Sequence, residues 1–387
     1  MTGEAMPHLR RWKTALFVLP AVGLVGAAAL FGASWYYTES LKNDALEPDH
    51  EPPEPDLEVI AVEEGRVTLR ATSAAGKDGD WTKPGIFGLE WDGGYNQVGA
   101  ILAMRSHEVV RELLQSEDLP RAGEQVRLDS FAFPGDPKQA FGIPFKEVLF
   151  TSPLGEFPAW FVDGGDRWAI FVHGKGARRE EALRMLPAVS DLGLSALVIT
   201  YRNDVGVPAG PDGFYRYGKT EWQDLEGAAE YALGQGAREL VLIGFSMGGG
   251  IVMSFLLQSP LAERVVGVIL DSPMLDFGAV IDHGARRRNA PALLRATGRR
   301  LAGYRFDIDW GELNYLSRAD ELRVPILLFH GDDDDRVPVE TSDALAEARP
   351  GIVTYVRASG AGHVRSWNMD PDAYAAAVRE FLVNLEP

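Results

Sequence analysis

Residues 240 to 250 read Leu-Val-Leu-Ile-Gly-Phe-Ser-Met-Gly-Gly-Gly, so an apolar run stops at Ser246, set between Gly244 and Gly248. A serine on a sharp strand-to-helix turn sits in strained backbone geometry, and side chains two positions to either side would collide across the turn. Glycine at both places removes the collision. A hydroxyl presented this way can attack a carbonyl carbon, but at neutral pH it needs a base, and the base needs a group that fixes its tautomer. Both are encoded downstream. Residues 329 to 338 read Phe-His-Gly-Asp-Asp-Asp-Asp-Arg-Val-Pro, and residues 360 to 363 read Gly-Ala-Gly-His. Ser246, a carboxylate and His363, in that order, are the parts of an acyl-transfer centre. The oxyanion formed in such a reaction needs donors. Backbone N–H groups in a glycine-rich loop, here 173 to 176 (His-Gly-Lys-Gly), and at the start of the helix after the serine are suited to it. With 42 glycines in the chain, the five-letter motif alone would arise by chance about 0.2 times, so its weight comes from this company.

The elements that must position these residues can be read from pattern. A β-branched and leucine-rich strand, 239 to 243, leads into Ser246, and a helix-compatible apolar run, 251 to 257, leads out. From residue 146 the rhythm is that of an α/β fold with a mainly parallel sheet. A hairpin is expected from 147–151 and 157–162, strands at 168–172, 196–200, 265–270, 325–329 and 353–357, and helices at 178–192, 221–233 and 373–385. The span 274 to 322 breaks the rhythm and carries Arg286, Arg287, Arg288, Arg295, Arg299 and Arg300. In an open α/β sheet an insertion there lies over the carboxyl ends of the strands, which makes it a candidate lid; a solvated helical excursion is the alternative.

In this order and context the chain resembles the α/β-hydrolase superfamily over residues 147 to 385, and distantly its prolyl-oligopeptidase branch. The residues carrying the resemblance are 173–176, 244–248, 330–338 and the pair Gly362-His363. It implies a mainly parallel central sheet flanked by helices, with Ser246 as nucleophile, His363 as base and Asp334 as the acid. Val337-Pro338 falls in register for Asp334, and Asp333 is the alternative acid. The implied oxyanion donors are the backbone N–H groups of Met247 and Lys175. No cofactor is implied. His330 and His173 are expected to order loops. The Lys175 side chain either points to solvent or supplies charge to an anionic substrate, and residues 201 to 204 (Tyr-Arg-Asn-Asp) either line the pocket or form a structural ion pair. The aspartate run lacks the central Gly and twelfth-position Glu of a calcium loop, and there is no His-x-x-x-His pair, so no metal is expected. The implied activity is that of a serine hydrolase on carboxylic esters or thioesters, with a small-molecule or lipid-like substrate. Two alternatives stand: a prolyl-oligopeptidase-type serine peptidase, and a non-catalytic membrane-tethered binding protein on the same fold.

The remainder of the chain bounds the setting. A formal charge of −18 over 387 residues excludes a nucleic-acid binder, because phosphate binding needs a basic surface. The absence of cysteine excludes disulfides, thiolate metal sites and a cysteine nucleophile. Residues 15 to 33 are uncharged and apolar and are followed by Trp35-Tyr36-Tyr37, which reads as a transmembrane helix over 14–37 with an aromatic belt. Arg10, Arg11 and Lys13 precede it and seven acids follow between 39 and 56, placing residues 1–13 in the cytoplasm and the catalytic bulk outside. A cleaved signal peptide is the competing reading. An acidic, proline-rich linker is expected over 38–58. A β-rich accessory region is expected over 59–145, in which 107–114 fits strand or helix, and the catalytic domain over 146–387. Composition leaves the oligomeric state open.

Overall fold

The computed structural model describes residues 8–50, 53–76 and 79–385, and the side chains of its first helix from Leu24 onward. Helix α1 (His8–Leu41) opens the chain. Six strands follow: β1 (Leu57–Glu63), β2 (Arg66–Ala71), β3 (Phe87–Trp91), β4 (Gly94–Arg105), β5 (Glu108–Leu113) and β6 (Gln125–Asp129). After the short helix α2 (Pro137–Phe141) come β7 (Lys146–Ser152), β8 (Gly155–Val162), β9 (Arg167–Val172), helix α3 (Leu186–Ser190), β10 (Ser195–Ile199) and helix α4 (Trp222–Gly234). Strand β11 (Glu239–Phe245) runs into helix α5 (Met247–Gln258), and β12 (Val265–Asp271) precedes helices α6 (Phe277–Arg287) and α7 (Ala292–Phe306). The chain closes with β13 (Ile326–Gly331), α8 (Glu340–Ala348), β14 (Val353–Ala358), α9 (Ser366–Met369) and α10 (Pro371–Val383).

Two compact units result, one made of residues 1–47 with 281–310, the other of 48–280 with 311–387. The larger unit holds an eight-stranded sheet in the order β14-β13-β12-β11-β9-β10-β8-β7, in which β8 alone runs against the rest. Its central strands β10, β11, β12 and β13 are buried almost throughout, with none of the alternation of a half-exposed strand, because helices cover both faces. The same unit contains a closed antiparallel barrel, β1-β2-β5-β4-β3-β6. Its core is a period-two set, Val59, Val67, Leu69, Phe87, Leu89, Val98, Val109 and Val126, pointing inward from successive strands.

The expected β-rich region over 59–145 holds a closed six-stranded barrel, in the same unit as the hydrolase sheet. Within 107–114, which fitted strand or helix, Glu108–Leu113 is strand, and the twelve-residue β4 precedes it. Two expectations about helices are corrected. The expected helix over 178–192 is a 3-10 turn, Arg179–Arg184, followed by the short α3, broken where Pro187 follows Met185 and Leu186. The linker expected over 38–58 is helical to Leu46 before it extends, because Glu39 and Asp44 are paired with arginines of the same unit.

Within the smaller unit, α7 packs along α1. Ser34 Oγ lies 2.7 Å from Thr297 Oγ1, Arg305 stacks over the Trp35 ring at 3.6 Å and pairs with Glu39, and a Cβ on Gly298 would lie 2.5 Å from the Tyr37 ring. From Leu24 onward α1 carries Ser34, Thr38, Glu39 and Ser40. Among the described residues no helix is long and apolar enough to cross a membrane. Residues 1–7 of the expected cytoplasmic segment, and the side chains of residues 8–23, lie outside the described residues, and the backbone of 8–13 belongs to α1.

Candidate active site

Strand β11 ends at Phe245 and α5 starts at Met247, leaving Ser246 alone in the turn with φ 50° and ψ −115°. That is a positive-φ conformation costly to any residue with a Cβ, and the surroundings impose it. Ser246 N–H donates to the Asp271 carbonyl (3.0 Å), and the Ser246 carbonyl accepts from Gly249 (3.0 Å) and Met274 (2.9 Å). The flanking glycines are sterically obligatory. A Cβ on Gly248 would collide with the Val172 carbonyl and lie 2.7 Å from that of His173, and one on Gly244 would lie 2.7 Å from the Gly248 carbonyl.

The three residues expected to act together are together. Ser246 Oγ is 2.8 Å from His363 Nε2, and His363 Nδ1 is 2.7 Å from Asp334 Oδ2. A carboxylate only accepts, so Nδ1 carries the proton and Nε2 is left to accept from the serine hydroxyl. Asp334 Oδ1 accepts the N–H groups of Arg336 and Val337, each at 2.9 Å. Its side chain is fully buried, which favours the neutral acid, yet the adjacent His363 and His330 hold the carboxyl well below its ordinary range. His330 lies 3.1 Å from Asp334 Oδ2 through Nε2 and 2.7 Å from Ser342 Oγ through Nδ1, so it orders the acid loop as expected. Asp333, the alternative acid, is half-exposed and paired with Lys83 of the barrel.

The glycine loop lies against the nucleophile: a Cβ on Gly174 would sit 3.1 Å from that of Ser246. The Gly174 N–H donates to Glu181 Oε2 (2.7 Å), and its carbonyl accepts from the Tyr201 hydroxyl (3.1 Å) and His173 Nδ1 (2.9 Å). In a trans peptide the N–H points opposite to the carbonyl, so these bonds aim the Lys175 N–H away from Tyr201 and His173. Met247 N–H belongs to the first turn of α5, whose N–H groups carry the positive end of the helix dipole. His173 Nε2 meets Asp204 Oδ2 at 2.8 Å, so both ring nitrogens face acceptors. Burial disfavours the charged ring, but Asp204 and the Gly174 carbonyl outweigh it and raise the His173 pKa. Of the 201–204 stretch, Arg202 forms a buried ion pair with Asp224 (2.7 Å). The Lys175 ammonium lies 5.6 Å from the Tyr215 ring centroid. Among the described residues no cluster of His, Asp and Glu could hold a metal ion.

Sequence reasoning missed what holds the histidine loop. Val364, next to His363, has φ 52°, a strained value for a β-branched residue. Its N–H donates to Ser272 Oγ (3.0 Å) and its carbonyl accepts from the buried Arg184 (2.6 Å). Arg365 reaches from the His363 carbonyl (2.9 Å) to Asp80 of the barrel (2.9 Å). Asn368 exchanges hydrogen bonds with Ile86, donating at 2.6 Å and accepting at 2.8 Å. The barrel loop is itself fixed from inside by Arg111, fully buried, which donates to the carbonyls of Lys83 (2.9 Å), Gly85 (2.7 Å) and Gly99 (3.0 Å). A buried arginine between Val109 and Leu113 was the one available signal, but its partners lie 12 to 30 residues away and leave no local pattern.

Comparison with known proteins supports the α/β-hydrolase fold. The model of the alpha/beta hydrolase family matches residues 169–377. The chain belongs to that family. Residues 58–129, the barrel, match a domain of unknown function (DUF8805). An uncharacterized protein of Mycobacterium tuberculosis is 27% identical over 242 residues, covering 61% of this chain and 78% of its own length. A second relative, an uncharacterized protein of Bacillus subtilis, is 31% identical over 74 residues, 19% of this chain and 24% of that one. Among solved structures, an esterase of Pyrococcus furiosus superposes with a TM-score of 0.53 at 21% identity, over 66% of this chain and 96% of the esterase, a likeness of fold. The barrel thus precedes the stretch that this hydrolase-family chain shares with the family model.

Proposed function

We propose that the protein is a serine esterase that forms an acyl-enzyme at Ser246. One observation carries the reading: the continuous hydrogen-bonded line from Ser246 Oγ through His363 to the buried Asp334, at 2.8 and 2.7 Å. In the first step Oγ bonds to the ester carbonyl carbon while its proton passes to His363 Nε2, and the carbonyl oxygen becomes the oxyanion, held by the N–H groups of Lys175 and Met247. Collapse breaks the bond to the leaving alkoxide, or thiolate for a thioester, which takes the proton from Nε2. Water, deprotonated by the same nitrogen, then attacks the acyl-serine and releases the carboxylic acid. Asp334 stays ionised and balances the imidazolium; no cofactor takes part. The substrate in this reading is a small-molecule or lipid-like ester. A peptidase of the prolyl-oligopeptidase type is less well supported, since the accessory element is a single six-stranded barrel, where a propeller would repeat four-stranded blades.

The reading includes a setting: α1 tethers the enzyme to the cell membrane as a single pass, with the N-terminus cytoplasmic and the catalytic unit outside. The uncharged run 15–33 and the charges flanking it support this. A fluorophosphonate probe should label wild type and not Ser246→Ala, and equal labelling of both would sink the assignment. A series of p-nitrophenyl esters run beside aminoacyl nitroanilides separates esterase from peptidase. Turnover of the anilides alone would reverse the ranking.

A further inference from the structure

In a chain of net charge −18, residues 281 to 310 are a basic island, with seven arginines against three aspartates. Four of the arginines are neutralised within their own unit: Arg286 and Arg295 by Asp282, Arg288 by Asp44 and Arg305 by Glu39. Arg299 stacks on Trp310 at 4.8 Å and, with Arg300, has no carboxylate partner among the described residues. On α7 the residues Gly298, Ala302 and Phe306 are buried against the unit. The opposite stripe, Leu293, Ala296, Arg300 and Tyr304 at i, i+3, i+7 and i+11, is exposed, with Tyr304 at 90% and Leu293 at 63%. A large aromatic and a leucine left in solvent beside unpaired guanidinium groups are what a helix at a lipid–water boundary presents.

The position of α7 on α1 points the same way. Its contacts fall on Ser34, Trp35, Tyr37, Thr38 and Glu39, the aromatic end of the apolar run, while Leu24, Val25 and Phe31 further along α1 are exposed. We infer that the exposed stripe of α7, Leu293, Arg300 and Tyr304 with Arg299, rests on the headgroups of an anionic phospholipid bilayer, a second membrane contact beside the α1 tether. The inference rests on the tethering reading of α1. Tyr304 places its ring at headgroup depth, and the two free arginines meet lipid phosphates. Zwitterionic lipid offers the apolar contact without the net attraction, so engagement depends on anionic lipid and falls with salt.

The chain has no cysteine, so single-site labelling is direct. Full-length Tyr304→Cys and Leu24→Cys carry an environment-sensitive fluorophore in vesicles of phosphatidylcholine, with or without about 30 mol% phosphatidylglycerol. Bromolipid should quench the Leu24 label in both vesicles, which reports the tether. The Tyr304 label should be quenched and blue-shifted only with phosphatidylglycerol. Neutralising Arg299→Gln and Arg300→Gln should lower the docking equilibrium constant about fivefold per charge, and raised salt should lower it as well. Quenching at position 24 with none at 304 overturns the docking and leaves the tether; no quenching at either overturns both. Quenching at 304 that ignores anionic lipid, or energy transfer between two labelled copies in its place, overturns the proposal in favour of apolar insertion or self-association.

Discussion

Asp334→Asn tests the acid assignment at the level of one proton. In the native site Oδ1 takes two backbone N–H groups at 2.9 Å, so an asparagine keeps its carbonyl there; the flipped amide would set its NH2 against two donors. The NH2 then faces His363 Nδ1, which must turn acceptor and move its proton to Nε2, 2.8 Å from Ser246 Oγ. That nitrogen can no longer take the serine proton. An otherwise intact site in the wrong tautomer loses about 10⁴ in kcat, or roughly 5 to 6 kcal/mol of transition-state stabilisation. The assay is kcat/KM on a p-nitrophenyl ester beside fluorophosphonate labelling, with circular dichroism confirming the fold. Asp333→Asn is the control. Asp333 is 53% exposed and pairs only at the surface with Lys83, so its loss should change kcat/KM by no more than about twofold. A loss below tenfold in Asp334→Asn, or an equal loss in Asp333→Asn, refutes the argument.

Gly248→Ala should destabilise the fold by about 1 to 3 kcal/mol in urea titrations, because the new methyl meets the Val172 and His173 carbonyls; wild-type stability would mean the elbow can open without cost. The raised pKa of His173 means the folded state binds a proton that the unfolded state releases near pH 6.5, so the His173 and Asp204 contact stabilises fully below that pH and fades as pH rises through the folded value. The stability gap between wild type and Asp204→Asn should therefore shrink from pH 6 toward alkaline pH, and a gap constant with pH would show His173 to be neutral. Arg111→Met leaves the Lys83 and Gly85 carbonyls of the barrel loop and the Gly99 carbonyl of β4 without their donor and should cost about 3 kcal/mol or more in chemical denaturation; retention of wild-type stability would show that these carbonyls find other donors. Arg365→Ala should lower kcat more than it raises KM, since it frees the His363 carbonyl and the tie to Asp80 together, and an effect on KM alone would contradict it.

The centre was legible in the sequence because each of its parts is signalled by neighbours in the chain. Gly244 and Gly248 mark the turn at Ser246 by what they exclude, and the resemblance to the hydrolase family, with Val337-Pro338 in register, singles out Asp334 among the four adjacent aspartates. Buried strands such as β11 and β13 show as apolar runs because both faces are covered. The same locality explains the failures. The closed barrel depends on β6 returning to β1, a pairing of Leu57 with Val126 that no short window contains. The helical end of the expected linker depends on Glu39 and Asp44 meeting Arg305 and Arg288, some 250 residues away. Pairings closed by distant charges or strands are tertiary facts, and local propensity is silent on them.

The tie between barrel and histidine is of that second kind, and it bears on how the base is held. His363 sits on a turn whose next residue, Val364, is in a conformation that β-branched side chains avoid, so the turn would relax if left to itself. Three anchors oppose that relaxation: Ser272 and Arg184 on Val364, Arg365 on the His363 carbonyl, and Asn368 on the barrel strand entering at Ile86. The first comes from the hydrolase sheet and its flanking helices, while the other two run to the barrel. A histidine that must receive and return a proton over 2.8 Å loses efficiency with small displacements, so rigidity in this turn converts directly into rate. Removing Asp80 and Ser272 together should thus cost more in kcat than the product of the single losses, and strictly additive losses would show that the two anchors act on separate motions.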